Sequence, residues 1–327
     1  MASCIRGMLI AGEGSDLIFP DFAGIESRYN AWLWGEEWKL QAFRDYDAGT
    51  GPDLYCVAVG RAFNFDPRSI TKKDPRRQLG KVIDLFGGYE GGVGAFVKMA
   101  DTYGVDLEEM TEQVYPLLSA DVLEQALWMW GKFGRRSELP QKVYMACDGV
   151  KQLWRRDHKR IQAGWKALKE AAGLAIKNPG TVYSCAGGKI LFRMLDYKGR
   201  QWLQMQLPSG RKLSYFNPSV DEDDNDAIHY WGVDTETRQW CETSTYGGKL
   251  DENGVQGGCR DLLVPALFAA EAADYPPVGS VHDEGIHEIR KGFGSLDELG
   301  GLYCRLPAYA KGLPIAVEGH RAHRYRK

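Results

Sequence analysis

The chain has 327 residues, 44% of them hydrophobic and 26% charged. That is enough for one large domain or two ordinary ones with a packed core, and it excludes a disordered polymer. A net charge of −3 excludes a surface that is basic throughout, yet allows a basic cleft in an acidic body. The cysteines at 4, 56, 147, 185, 241, 259 and 304 form no Cys-x-x-Cys pair. A disulfide framework or zinc site is therefore not expected, and a reducing cytoplasm is. No run of 18 apolar residues occurs, so neither export nor a membrane span is expected.

Arg6 and Gly7-Met8-Leu9-Ile10 predict a strand or short helix. Leu17, Ile18 and Phe19 predict a buried strand, and from Ile25 the apolar spacing turns helical through Tyr29, Trp32 and Leu33. Asp21 falls where strand hands over to helix, which places an acid at a sheet edge. As a lone residue it reads first as a helix N-cap. The helix is expected to continue through Trp34, Trp38, Leu40 and Phe43 to the breaker Gly49-Thr-Gly-Pro52. Asp53 is the N-cap of the next helix. Asp74-Pro75 starts another, running to about Phe86 with Leu79, Val82, Ile83 and Phe86 on its core face. Arg77 and Lys81 lie one turn apart off that face, and Leu85 and Tyr89 continue their row. Two stacked cations can clamp a polyphosphate; a solvated basic face is the commoner use. Asp74 and Asp84, each three residues from one of these cations, offer partial neutralisation. Glycines 87, 88, 91, 92 and 94 close a helix and lack Gly-Lys-Ser/Thr, so they are no phosphate loop. They suit close packing or a bend beside a ligand.

Residues 100–175 read as helices, among them 116–130 and 150–168. The second carries Lys151, Arg155, Arg156, Lys159 and Arg160, a basic face for a nucleic-acid backbone or for solvent. From Thr181 short strands take over, with a turn at Pro208-Ser-Gly-Arg211. The acidic run 221–226 lacks the calcium-loop pattern and reads as a solvated loop. Thr245-Tyr-Gly-Gly-Lys249 turns into a helix of about 252–272, kinked at Pro265, with Gln256 and Arg260 one turn apart. Residues 278–289 form two short strands around His282-Asp283, where adjacent acids repel unless a cation neutralises them. Arg321, Arg324, Arg326 and Lys327 make a basic tail.

Two acids at strand ends and a helix with an Arg/Lys pair suit phosphoryl transfer with two Mg²⁺ ions. Here the residues carry a resemblance. Asp21-Phe-Ala-Gly-Ile-Glu-Ser-Arg28 resembles motif A of the family A DNA polymerases, the bacterial DNA polymerase I class, in phage versions. Arg77-Gln-Leu-Gly-Lys81 with Tyr89 resembles motif B, and Val281-His-Asp-Glu284 resembles motif C. The stretch from Thr245 to Gln256 resembles the helix before motif C. The similarity covers the chain from about Ser3 to its end.

The resemblance implies an α+β fold. Its parts would be a palm of antiparallel sheet and helices over 1–60 and 241–327, and mostly helical fingers with an insertion over 61–240. Thumb and exonuclease would be lacking and supplied by a second polypeptide, as in a split phage-type polymerase. It implies Asp21 and Asp283 as catalytic metal-binding acids, with the Phe22 carbonyl as a further ligand. Arg77 and Lys81 would hold the incoming dNTP, and Glu26 would exclude a ribose 2′-hydroxyl with support from Tyr89. His282 would lie near the primer terminus, Gln256 against the DNA minor groove, and Arg28 beside the template pocket. Glu284 would support the metal site. Leu85 stands where the family often has an aromatic facing the sugar, and Glu90 replaces the usual glycine. The partners implied are primer-template DNA and dNTPs. The alternative is a non-catalytic DNA-binding or scaffold subunit that keeps the fold.

Overall fold

A computed structural model describes residues 6–71, 73–234 and 237–325. Cys4, Arg326 and Lys327, and the start of the resemblance near Ser3, lie outside the described residues. In chain order the elements are β1 (Ser15–Phe22), α1 (Ile25–Trp34), α2 (Glu37–Asp47), α3 (Leu54–Phe63), α4 (Pro75–Gly87), α5 (Val93–Thr102), α6 (Leu107–Val114), α7 (Ala120–Phe133), α8 (Gln141–Asp157) and α9 (Lys159–Lys177). Then come β2 (Tyr183–Cys185), β3 (Ile190–Tyr197), β4 (Arg200–Gln206), β5 (Lys212–Asp221), β6 (Ala227–Val233), β7 (Trp240–Thr245) and α10 (Gly247–Glu271). β8 (Pro277–Val281), β9 (Glu284–Arg290), α11 (Leu296–Tyr303) and β10 (Val317–Ala322) complete the chain. Helices and antiparallel sheets segregate in sequence, which is the α+β pattern expected.

The chain divides into two compact units. Unit 1 holds residues 1–29, 206–213 and 254–327; unit 2 holds 30–205 and 214–253.

Unit 1 is built on a four-stranded sheet of order β10-β1-β9-β8. β1 is an inner strand, antiparallel to both β10 and β9. Asp21 therefore does not lie at a sheet edge, and it sits within the strand rather than capping a helix. Alternation along β1 sends Leu17 and Phe19 to one face, packed with Ala11, Ile286 and Tyr325. Phe22 packs on the Tyr303 ring of α11 on the other. Of the expected basic tail, Arg321 lies in strand β10 and Arg324 in a bridge beyond it. Arg321 donates to Asp16 at 2.9 Å and to the Phe293 carbonyl at 2.9 Å. The predicted element at residues 7–10 reduces to an isolated bridge between Ile10 and Arg324.

Unit 2 has a helical core from Cys56 to Trp165. The helix predicted from Ile25 to Phe43 is two, because Gly35 at φ +70° leaves the helical region between α1 and α2. The 150–168 helix is likewise two, broken at His158, whose buried ring stacks on Trp154 at 3.9 Å. Pro116 stands in a short turn before α7, and α10 begins at Gly247, ahead of the expected start.

The cap at α4 is as expected: the Asp74 carboxylate accepts from the Arg76 amide at 2.9 Å, with Pro75 next. Leu79, Val82, Ile83 and Phe86 are buried. Gly80 lets α4 press on α3, since a Cβ there would stand 2.1 Å from the Tyr55 carbonyl oxygen. That obstacle is backbone and cannot swing aside. Gly80→Ala should lower unfolding stability by about 1–3 kcal/mol, read by denaturant titration. Wild-type stability would mean that the two helices are not so close.

Candidate active site

Asp21 of β1 is registered opposite Glu284 of β9 and opposite Glu318 of β10. Directly opposed residues of antiparallel strands share a face, so these three acidic positions lie in one row across β10, β1 and β9. Like charges so placed repel. Asp283 follows immediately: the Phe22 amide donates to the Asp283 carbonyl at 3.4 Å. The β8–β9 hairpin turns in two residues, His282 and Asp283, between the paired Val281 and Glu284. His282 adopts φ +54° there, a conformation uncommon outside glycine. Glu284 is buried, and its carboxylate accepts from the Tyr325 hydroxyl at 3.1 Å. Asp21 and Asp283 are half-buried, while His282 and Glu26 are exposed.

α10 runs past this site within unit 1. Burial pushes its Cys259 thiol well above the ordinary range, and the negative charges of Glu26, Asp283 and Asp261 push the same way. One helix position thus senses both a motif A and a motif C acid. Gly258 admits the Tyr29 ring, which a Cβ would meet at 2.1 Å. Arg28 is fully buried and donates through Nε to the Ala23 carbonyl at 2.7 Å. It clasps the strand-to-helix turn that carries Asp21. Gln256 and Arg260 share the exposed face of α10, and Arg260 donates to Ser280 at 3.2 Å. Sequence reading missed Asp261. It pairs with Arg211 at 2.6 Å and accepts from Ser209 at 2.5 Å. The Pro208-Ser-Gly-Arg211 turn held the only hint of it.

In unit 2, Arg77 and Lys81 are half-buried on α4. The expected pairing with Asp74 and Asp84 does not occur. Asp74 takes Arg76, Arg77 takes Asp53 at 2.7 Å, and buried Asp84 takes Lys39 at 2.5 Å. Capping directs the first choice, since the N-cap carboxylate faces the Arg76 amide. Lys81 lies 4.2 Å from the Tyr103 ring centroid; burial, then the Arg77 charge, lowers its amine. Leu85 is half-buried. The basic run of α8 and α9 is not one face. Lys151 is buried against Asp148, and Arg155 donates to the Glu90 carbonyl at 3.3 Å. Arg156, Lys159 and Arg160 are exposed.

Tyr89 follows a tightly held exit from α4. The Gly88 carbonyl accepts from Asn30 at 3.1 Å and from the Trp165 indole at 3.2 Å. Asp251, in the first turns of α10, accepts from Trp34 at 2.9 Å and Trp165 at 3.2 Å. Glu90 takes φ +63°, and its carboxylate accepts from the Gly248 amide at 3.0 Å. Gly87 packs against Trp154 and Gly91 against the Phe86 carbonyl, where a Cβ would clash with either, whereas Gly92 and Gly94 face open space. The close-packing reading of this glycine set thus holds for part of it.

Two carboxylates and a main-chain carbonyl are hard oxygen donors, the set that Mg²⁺ prefers alongside waters and substrate phosphates. Among the described residues no three or more His, Cys, Asp or Glu side chains group as a metal centre. The donor types of Asp21, Asp283 and the Phe22 carbonyl fit such an ion.

No family model matches the chain. By fold it resembles the POL domain of Pol1 from M. smegmatis in complex with DNA primer-template and dNTP, with a TM-score of 0.53 over 98% of this chain and 42% of that one, at 16% identity. At that identity the likeness is one of fold: the chain shares the fold of a polymerase domain. The chain is, further, 32% identical over 330 aligned positions to the DNA polymerase of Bacillus phage SP02. The chain is thus similar to a part of that phage DNA polymerase. The match takes in all of this chain and 44% of the phage protein, so the chain spans under half the length of its curated relative.

Asp251 makes one consequence measurable. Burial pushes its carboxyl up to about 7, against the hydrogen bonds from Trp34, Trp165 and Asn30. Below about pH 4 the acid is protonated folded and unfolded alike. As pH rises towards 7 the unfolded chain ionises first, so this group's contribution to stability is lost. Asp251→Asn, which cannot ionise, should flatten the decline of unfolding free energy between pH 4 and 7, at a cost of about 1 kcal/mol for one unmade bond. Denaturation at stepped pH reads this, and an unchanged slope would contradict it.

Proposed function

We propose that the chain is the palm-and-fingers part of a template-directed DNA polymerase, adding a deoxynucleotide to a primer 3′-end. Unit 1 would be the palm, and unit 2 the fingers with an inserted sheet. The observation that carries this reading is the main-chain hydrogen bond from Phe22 to Asp283, which supports motifs A and C meeting from opposite ends of the chain.

In this reading Asp21 and Asp283, with the Phe22 carbonyl, would hold two Mg²⁺ ions. When bound, these would activate the primer oxygen and steady the departing pyrophosphate. Arg77 and Lys81 would bind the triphosphate of the dNTP. Glu26 would deny space to a 2′-hydroxyl, with Tyr89 and Leu85 beside the sugar and nascent pair. Gln256, His282 and Arg28 would contact or brace primer and template. The buried Glu284, held by Tyr325, would keep the hairpin acid oriented.

Grip on the duplex, and proofreading, would come from the parts of such polymerases that this chain does not match. They would lie in the same polypeptide or in a second one. Adding that portion should lengthen primer extension. The site of action would be the cytoplasm of a bacterial host cell; among the described residues no helix is long and apolar enough to cross a membrane.

A non-catalytic DNA-binding subunit is the second reading. Its support is Arg77, already engaged by Asp53 and so not presented bare to a phosphate. Primer extension with Mg²⁺ separates the two: no extension beside tight DNA binding would favour the scaffold.

Asp21→Ala and Asp283→Ala should each lower extension by about 10²-fold or more while primer-template affinity stays near wild type. Extension at the wild-type rate by either variant would remove the metal assignment. Glu26→Ala should raise ribonucleotide incorporation relative to deoxynucleotide, measured as a ratio of kcat/KM. An unchanged ratio would end the gate role.

A further inference from the structure

The inserted sheet has two unlike faces. Ile190, Phe192, Leu203, Met205, Tyr215 and Ile228 are buried on one, where α9 packs against β2 and β3. The opposite face is open and carries one large aromatic on each of four adjacent strands. Trp202 of β4 lies 4.8 Å from Phe216 of β5, and Phe216 lies 6.0 Å from Trp240 of β7. Trp231 of β6 is registered opposite Phe216. Trp240 is 56% exposed and Trp231 37%. Trp240 stands opposite Val233, two residues beyond Trp231, so the stripe runs obliquely over strands that at the usual spacing span about 14 Å. Indole rings left in water across a whole sheet are a costly arrangement for a surface with no ligand.

The charges around the stripe choose among ligands. Arg193 and Arg200 point to the same face, with Arg193 held by Gln204 at 3.0 Å and 3.1 Å. Lys198 and Arg238 stand exposed in the flanking turns. The acid on the stripe itself is Glu242, opposite Trp231. A row of rings with cations at its flank suits a polymer of flat bases and regular phosphates. Sheet aromatics that stack two or three bases are a recurring mode of single-strand binding.

We propose that this face of β3–β7 binds single-stranded DNA, stacking successive bases on Trp202, Phe216, Trp231 and Trp240 while Arg193 and Arg200 meet the phosphates. The inference rests on the polymerase reading for DNA as the strand it meets, the unpaired template. The binding test does not depend on activity.

The probe is a labelled oligo(dT) of about 20 nucleotides, with the matching oligo(rU) as a second arm, titrated by anisotropy. Trp240→Ala, at an exposed position that the fold does not need, should weaken oligo(dT) binding about tenfold, since one stacked base contributes on that order. Trp202→Ala with Trp240→Ala should weaken it further. Arg193→Ala with Arg200→Ala should make the salt dependence shallower. An oligo(dT) carrying iodouracil should crosslink within residues 190–245. Loss of binding in the ring variants, beside an inactive wild type, would uphold this site and sink the polymerase reading. Normal primer extension with oligo(dT) affinity unmoved by both ring variants would overturn the site and leave that reading standing. So would tighter binding of oligo(rU), or self-association of the wild type that Trp240→Ala abolishes without touching oligo(dT) affinity.

Discussion

The pairing of β1 with the β8–β9 hairpin is the constraint on which the rest depends. It fixes Asp21 opposite Glu284 and brings the Asp283 carbonyl onto the Phe22 amide. The register admits no slip, because moving β1 by one residue would send Leu17 and Phe19 out of their cluster. Apolar burial on both faces of β1 thus holds together carboxylates that would otherwise separate. The folded chain carries this repulsion on an inner strand, where a bound divalent ion would relieve it. Arg28 on the Ala23 carbonyl and Tyr29 against Gly258 tie the same turn to its surroundings, so the acid has little freedom to drift.

Unit 2 solves a different problem: how to end a helix so that Tyr89 is presented in one way. The Gly88 carbonyl is claimed by two side chains, Asn30 and Trp165. Trp165 is itself shared with Asp251, so the exit from α4 is joined to α1, α9 and the start of α10 by neutral hydrogen bonds. Burial in this dry site outweighs the neutral donors, which pull the other way, and so pushes the Asp251 carboxyl up.

Much of this was legible beforehand. The caps at Asp53 and Asp74, the core face of α4, the strand texture after Thr181 and the hairpin around Asp283 all follow from local rules, and the structure bears them out. What escaped was non-local. Arg77 has an acid three residues away, yet it chooses Asp53 from another helix. The basic C-terminal stretch looks solvated because its strand alternation is broken by Gly319, whose close approach to the Phe19 carbonyl leaves no room for a Cβ. Asp251 reads as one more helix-start acid, and nothing nearby in sequence announces the two indoles that bury it. Gly35 is the exception. A lone glycine in a long helical run is a local signal, and the apolar period on both sides outweighed it.

Two strained positions complete the picture. Glu90 and His282 both hold positive φ, each next to a residue with a proposed role, Tyr89 and Asp283. The conformation costs about 1–2 kcal/mol for a residue with a Cβ. At Glu90 the cost is offset locally, since the carboxylate takes a main-chain amide at the start of α10, where a helix favours negative charge. Glycine at that position would relax the backbone and lose the tie, so the substitution exchanges ease of turning for a fixed attachment. His282 has no such return: its ring is exposed and makes no hydrogen bond among the described residues. The two-residue turn between Val281 and Glu284 itself calls for positive φ, so the cost at His282 goes to closing the hairpin tightly beside Asp283. In the proposed reading a histidine at the turn before Asp283 would meet the primer strand, and that encounter would return the strain energy to binding.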